Sequence, residues 1–261
     1  MPATDDLELA LRLADLADGI TLARFLATDL QVETKPDLTP VSDADRAVEE
    51  DVRRALAVDR PGDAVVGEEY GETGSGPRRW ILDPIDGTKN FVRGAPVWAT
   101  LLALQVDGDI VLGVVSAPAL GRRWWAGRGS GAWTSFSGGP PRRIAVSGVR
   151  SLPDAFLSYS SLTGWADTGR LEPLLSLARG VWRTRAFGDF WSHVLVAEGA
   201  VDASCEPEVS LWDLAALQPI VEEAGGRFTD LSGVARADGG SVVCTNGLLH
   251  DAVLAALAGG G

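Results

Sequence analysis

The segment Asp83-Pro84-Ile85-Asp86-Gly87-Thr88 places two carboxylates three residues apart, followed at once by a glycine and a hydroxyl. Pro84 pushes Asp83 toward an extended conformation and keeps the segment from continuing as helix, so both carboxylates can turn to one side. Magnesium takes about six oxygen ligands at ~2.0–2.1 Å, and close acids with an intervening backbone carbonyl, that of Ile85, suit it. Gly87 lets a ligand approach the backbone without meeting a Cβ atom. The amides of Gly87 and Thr88 would open a short helical turn, where N–H groups attract phosphate. A metal site and a phosphate site therefore adjoin.

Two further acidic features, Gly67-Glu68-Glu69 and Trp212-Asp213, fall where a strand ends or a helix begins, the places where converging loops put ligands in α/β architecture. Four acids from three segments, Glu68, Asp83, Asp86 and Asp213, can hold two or three magnesium ions, with manganese as a substitute. Haloacid-dehalogenase-like phosphatases use an aspartyl nucleophile from a D-x-D-x-T motif with its acids two apart. The wider spacing here points to direct attack by water.

Simpler readings stand beside these. Asp83 to Thr88 also fits an Asp-Pro turn followed by an Asp-Gly turn. Ser42 with Asp45, and Ser210 with Asp213, have capping-box spacing, so each acid can cap a helix, serve a site, or do both. Asp189 suits the N-cap of a helix beginning Phe190-Trp191 as well as a substrate contact. Arg185 fits a brace for that loop or a subunit interface as well as a substrate contact. His193 and His250 lack partners at zinc spacing and read as a helix residue and a surface residue, neither catalytic. Cys205 and Cys244 read as buried small apolar groups.

The elements that must position these residues follow from periodicity. Leu9, Leu13, Leu16, Ile20 and Phe25 recur at helical spacing between Asp5 and about Thr28. A second helix starts near Ser42 and runs until Pro61-Gly62, with a loop from Lys35 to Pro40 before it. Ala64 to Gly67 and Trp80 to Leu82 read as strands, and Gly71 to Pro77 between them as an exposed, mobile loop. Asp107-Gly108 joins two β-rich runs into a hairpin, and more strand follows around Trp124, Trp125 and Trp133. The first half is thus helices over an antiparallel sheet. After Pro140-Pro141 the pattern becomes α/β, with helices near 171–179, 189–198 and 210–224; Pro219 should kink the last. The expected division is residues 1–145, carrying the main metal motifs, and residues 146–261, closing the site, as one compact catalytic unit.

The 261 residues carry 36 acidic and 23 basic side chains, a formal charge of −13. A surface of that sign repels nucleic acids and anionic lipids, whereas bound divalent cations can reverse the field around a carboxylate cluster. No apolar run approaches the ~20 residues that span a bilayer. The N-terminus lacks the basic start and apolar core of a signal peptide, and two cysteines make no disulfide framework, so a cytoplasmic protein is expected.

In order along the chain, Gly67-Glu68-Glu69, Asp83 to Thr88 with Asn90-Phe91, and Trp212-Asp213-Leu214-Ala215-Ala216 with Glu223-Ala224-Gly225-Gly226 resemble the motifs of the inositol monophosphatase superfamily of metal-dependent phosphatases. The likeness covers nearly the whole chain. It implies a layered α-β-α-β-α sandwich of the α/β (α+β) class and a homodimer. It also implies metal binding by Glu68, Asp83, the Ile85 carbonyl, Asp86 and Asp213. Glu68 and Thr88 would hold the attacking water, and Asp45 would accept a hydrogen bond from Thr88 as general base. Glu206, seven residues before Asp213, occupies a position where the family places a substrate-facing glutamate.

Within that superfamily the chain is most similar to the bacterial histidinol-phosphate phosphatases. The residues that carry this are Lys89 to Gly94, Ser116 to Leu120 with Arg122 to Trp125, and Ala186 to Phe190 with Leu195 to Gly199. Inositol phosphatases commonly carry Gly-Thr-Ala where Gly188-Asp189-Phe190 stands, and a carboxylate suits the ammonium group of histidinol. The expected reaction is magnesium-dependent hydrolysis of a small phosphate monoester, histidinol phosphate of histidine biosynthesis first. Inositol phosphate and related sugar or nucleotide phosphates are alternatives, and a non-catalytic metal-dependent scaffold is the non-enzyme alternative.

Overall fold

The computed structural model describes residues 4–36 and 38–259. Asp37, in the expected Lys35 to Pro40 loop, lies outside the described residues. The rest of that loop joins a small hairpin, β1 (Val32–Thr34) and β2 (Pro40–Ser42).

Alternating burial on both faces of two sheets generates the layers. Strands β3 (Ala64–Gly67), β4 (Gly71–Thr73), β5 (Arg78–Asp86), β6 (Ala99–Val106), β7 (Asp109–Ala117), β8 (Arg122–Gly127), β9 (Ala132–Phe136) and β10 (Arg142–Ile144) form one sheet, ordered β10-β9-β8-β7-β6-β5-β3-β4. Along β5 and β6, Trp80, Leu82, Leu102 and Leu104 enter one core while Ile81, Leu101 and Ala103 enter another, as the two-residue period of a strand requires. The first core is closed by α1 (Thr4–Arg24) and α2 (Asp43–Asp59) through Leu9, Leu13, Val48 and Val52. The second is closed by α6 (Asp189–Ala197) and α8 (Leu217–Glu223) through Phe190, Val194, Ile220 and Val221.

A second sheet, ordered β12-β11-β13-β15-β14, lies on the far side of α6 and α8. Its strands are β11 (Phe156–Tyr159), β12 (Arg183–Arg185), β13 (Ala203–Glu206), β14 (Arg227–Thr229) and β15 (Val242–Thr245). Val242 and Cys244 face the inner core, while Cys205 and Val243 face an outer one with Trp165 of α4 (Leu162–Asp167), Leu174 of α5 (Leu171–Gly180) and Val253 of α9 (His250–Leu257). The result is an α-β-α-β-α sandwich. Fully buried side chains of this kind contribute roughly 1.5–3 kcal/mol each, which makes the layers a rigid mount for the loops between them. No helix among the described residues is long and apolar enough to cross a membrane.

Four local expectations are corrected. The first helix stops at Arg24, because Leu26 takes a left-handed conformation (φ 63°) and Arg24 turns to ion-pair with Asp29 and Asp43. Gly71 to Thr73 is not loose loop but β4, paired antiparallel to β3, while β3 runs parallel to β5, so the sheet is mixed. The helix expected over 210–224 is two, α7 (Leu211–Leu214) and α8, broken at Ala215-Ala216. Pro219 has no N–H for the carbonyl four residues back, that of Ala215, and a Cβ on Gly113 would overlap the Ala216 carbonyl, so the break packs against β7. His250 is buried between Thr229 and Thr245, its Nε2 and Nδ1 lying 2.9 and 3.1 Å from their hydroxyls, and not on the surface.

Candidate active site

The register between β5 and β6 explains how two acids three residues apart share one side. Asp83 pairs with Leu101 but Asp86 pairs with Ala99, so β5 carries an extra residue at Pro84-Ile85. In a regular strand positions i and i+3 point to opposite faces; the bulge cancels that reversal. Pro84 costs the ladder no donor there, and the Thr100 hydroxyl donates to the Pro84 carbonyl at 2.7 Å. Gly87 then takes φ 83° and starts α3 (Thr88–Val92); a Cβ on it would crowd the Val97 carbonyl and Asp189.

Both capping boxes form, and each divides a carboxylate between two tasks. Asp45 Oδ2 accepts from the Ser42 amide at 2.8 Å and the Ser42 hydroxyl at 2.6 Å, while Oδ1 lies 3.4 Å from the Thr88 hydroxyl. Thr88 Oγ1 also reaches the Ile85 carbonyl at 3.0 Å. Asp213 Oδ2 accepts from the Ser210 amide at 2.7 Å, and the same side chain meets Asp83 and Asp86. Ligand oxygens of these three aspartates lie within 4.8 Å of one another, and Asp83 Oδ1 is buried without a hydrogen-bond partner.

Packing this many acids together is costly without a cation. Burial, with Glu68, Asp86 and Asp213 around it, holds the Asp83 carboxyl well above the usual carboxylate range; burial and Asp189 do the same to Asp86. Burial pushes Asp213 up to about 7, against the Ser210 amide, and Asp45 up to about 6, against the Ser42 bonds. An all-oxygen donor set with an unpartnered buried oxygen is the chemistry a hard divalent cation requires. The residues present fit a metal site.

Glu68 follows β3, and Lys35, from the β1–β2 turn, reaches both Glu68 and Glu69 at 2.7 Å. The Phe190 amide donates to Asp86 Oδ2 at 2.6 Å, which fastens the start of α6 to a carboxylate of the aspartate cluster. Asp189 sits at φ 50°, a left-handed conformation that aspartate tolerates better than most residues, and its Oδ2 accepts from Asn90 at 3.1 Å. His193, one turn later, places Nε2 3.0 Å from Glu206 Oε1 and Nδ1 2.9 Å from the Ser204 hydroxyl. Burial works against a charged His193, but its contacts with Cys244 and the Glu206 carboxylate push it up to about 10. Burial and then Glu206 push Asp189 up to about 6.

The cleft these walls enclose has a volume of about 350 Å³. Glu68, Asp83, Ile85, Asp86, Gly87, Thr88 and Asp213 line it, and so do Asp189 and Glu206. Asp45 is buried behind Thr88. Arg185 and Gly188 are not among the lining residues: Arg185 is exposed on β12 with its guanidinium on the Thr184 carbonyl, and Gly188 precedes α6 with φ 70°. Sequence reasoning missed Lys35 and His193. Lys35 carries no local signal, whereas His193 stands four residues after Asp189, the spacing that puts two side chains on one helix face.

Residues 5–259 match the inositol monophosphatase family. The chain belongs to that family. A histidinol-phosphatase of Mycobacterium tuberculosis is 63% identical over 98% of this chain and 99% of its own length, and one from Streptomyces coelicolor is 58% identical over 96% of each. Among solved structures, extragenic suppressor protein suhB of Bartonella henselae superposes with a TM-score of 0.89 at 31% identity, covering 98% of this chain and all of that one. An IMPase of Thermotoga maritima gives 0.86 at 32% over 98% and 97%. The family and its histidinol-phosphatase members make the chain a phosphatase.

Proposed function

We propose that the chain hydrolyses L-histidinol phosphate to L-histidinol and phosphate in histidine biosynthesis, as a magnesium-dependent, cytoplasmic homodimer. The observation that carries the substrate choice is the pair Asp189 and Glu206, two carboxylates lining the same cleft as the metal-type aspartates. A phosphate ester with an ammonium group adds a positive partner to that pair beyond the contacts they already make with Asn90 and His193, whereas a neutral polyol adds none. The histidinol-phosphatase relatives point the same way.

Glu68, Asp83, the Ile85 carbonyl, Asp86 and Asp213 would hold two or three magnesium ions, with manganese able to replace them. Bound there, the metal supplies charge neutralisation for the phosphate and leaving oxygen and acidifies the attacking water. The residues do the rest. Glu68 and the Thr88 hydroxyl hold that water, and Asp45 Oδ1 draws the proton through Thr88 as general base. The Ser42 bonds keep Asp45 Oδ2 occupied, so only Oδ1 is free to act. Attack forms a bond from the water oxygen to phosphorus and breaks the ester P–O bond; the leaving alkoxide takes up a proton, balancing the one Asp45 removed from the water, and departs as histidinol.

Incubation with histidinol phosphate and magnesium should release phosphate and histidinol in equal amounts, and a chelator should stop it. Absence of phosphate release with magnesium present would overturn the proposal.

A further inference from the structure

Asp45, Glu49 and Arg53 follow one another at four-residue intervals along α2, so they form one stripe on its surface. Asp45 faces Thr88. One turn on, Glu49 is a fully buried carboxylate, and its oxygens accept from the Glu69 amide at 2.8 Å, the Tyr70 amide at 3.1 Å and Arg53 Nε at 2.8 Å. Arg53 in turn donates to the Gly71 carbonyl and, at 2.8 Å, to the Thr73 hydroxyl. The turn between β3 and β4 and strand β4 itself are thus fastened to α2 at four points, two each.

Glu68 rides on that turn. Its amide donates to the Leu82 carbonyl at 3.2 Å, and the next two amides are the ones Glu49 holds. Gly67 completes the fit, since a Cβ there would overlap the Glu49 carboxylate. The glycine of the Gly-Glu-Glu motif therefore has a reason apart from ligand access: it makes room for the group that clamps its successor.

A buried carboxylate is an expensive way to hold a hairpin, because an apolar side chain would pack there without desolvation. What the carboxylate adds is direction, fixing two particular amides relative to a helix whose first turn carries Asp45. We propose that Glu49, braced by Arg53, is a positioning residue for the reaction, setting the separation between Glu68 and the Asp45–Thr88 pair. The proposal rests on the reading of Glu68 as a metal ligand and holder of the attacking water. Contacts of this supporting kind change metal affinity or activity by about 10- to 100-fold when lost.

Glu49→Gln leaves one acceptor oxygen where two amides and a guanidinium need two. Magnesium binding by calorimetry, kcat and KM, and far-UV circular dichroism should be measured on this variant beside wild type and Glu68→Gln. Expected are a wild-type dichroism spectrum, at least tenfold weaker magnesium binding, a similar loss in kcat, and a KM for the phosphate ester within about threefold of wild type. Magnesium binding and kcat within twofold of wild type, with Glu68→Gln impaired, would overturn the proposal alone. Unchanged binding in Glu68→Gln would overturn it together with the reading beneath it. If Glu49→Gln does not fold, Gly67→Ala displaces the same carboxylate without removing it, and wild-type magnesium affinity there would overturn the proposal.

Discussion

Asp45 presents one oxygen to Ser42 and the other to Thr88, whose hydroxyl lies 3.4 Å away. One carboxylate therefore both caps a helix and faces the Thr88 hydroxyl, and the two roles separate by oxygen. Asp45→Asn keeps a side chain able to cap but cannot take a proton. Its kcat should fall by about 10²-fold or more, in the range general-base catalysis supplies, while the melting temperature stays within a few degrees. Equal activity in the two proteins would remove Asp45 from proton transfer.

Removal of metal should be visible without any substrate. Asp83, Asp86 and Asp213 crowd within 4.8 Å, and burial raises the cost of their charges. A chelator should abolish turnover, magnesium or manganese should restore it, and either cation should raise the melting temperature by binding the folded state. Asp86→Asn should lose most turnover and most of that thermal shift. A melting temperature indifferent to magnesium would count against the metal site.

Asp189 should act on substrate choice. A charge-assisted hydrogen bond in a partly desolvated site contributes about 1.5–3 kcal/mol, roughly ten- to hundredfold in specificity constant. Asp189→Asn should lower kcat/KM for histidinol phosphate by that factor and leave hydrolysis of a neutral aryl phosphate nearly unchanged. Equal losses on both would assign Asp189 to the loop or the phosphate end.

His250 gives a pH dependence of stability independent of catalysis. Burial and Arg227 push it down to about 4 from 6.5, so as pH falls the unfolded chain takes the proton first. Its contribution is fully present above pH 6.5 and is lost between about 6.5 and 4, up to roughly 3 kcal/mol. Denaturant unfolding of His250→Gln across this window should show a shallower acid slope than wild type; identical slopes would show that His250 does not titrate there.

What sequence could reveal divides by the range of the contact. Asp107-Gly108 builds its own hairpin, with both residues at positive φ, and Ser42 and Ser210 build their own caps, so those features were legible within four residues. The glycine-rich stretch after Glu69 looked loose because what orders it, Arg53 and strand β3, is contributed from elsewhere. His250 looked exposed because its partners are two threonines at the ends of strands β14 and β15. In the cleft the acids were readable as types and spacing. Their support was not, since the His193–Glu206 and Phe190–Asp86 contacts exist only once α6 packs between the sheets.

The central claim is that Asp189 and Glu206 select a phosphate ester carrying an ammonium group. Its most direct test is the ratio of kcat/KM for histidinol phosphate to that for inositol 1-phosphate, measured on the wild-type protein with saturating magnesium. The account predicts a ratio of ten or more, the least that one charge-assisted contact contributes; a ratio below one would contradict it and leave a phosphatase selective for polyol phosphates.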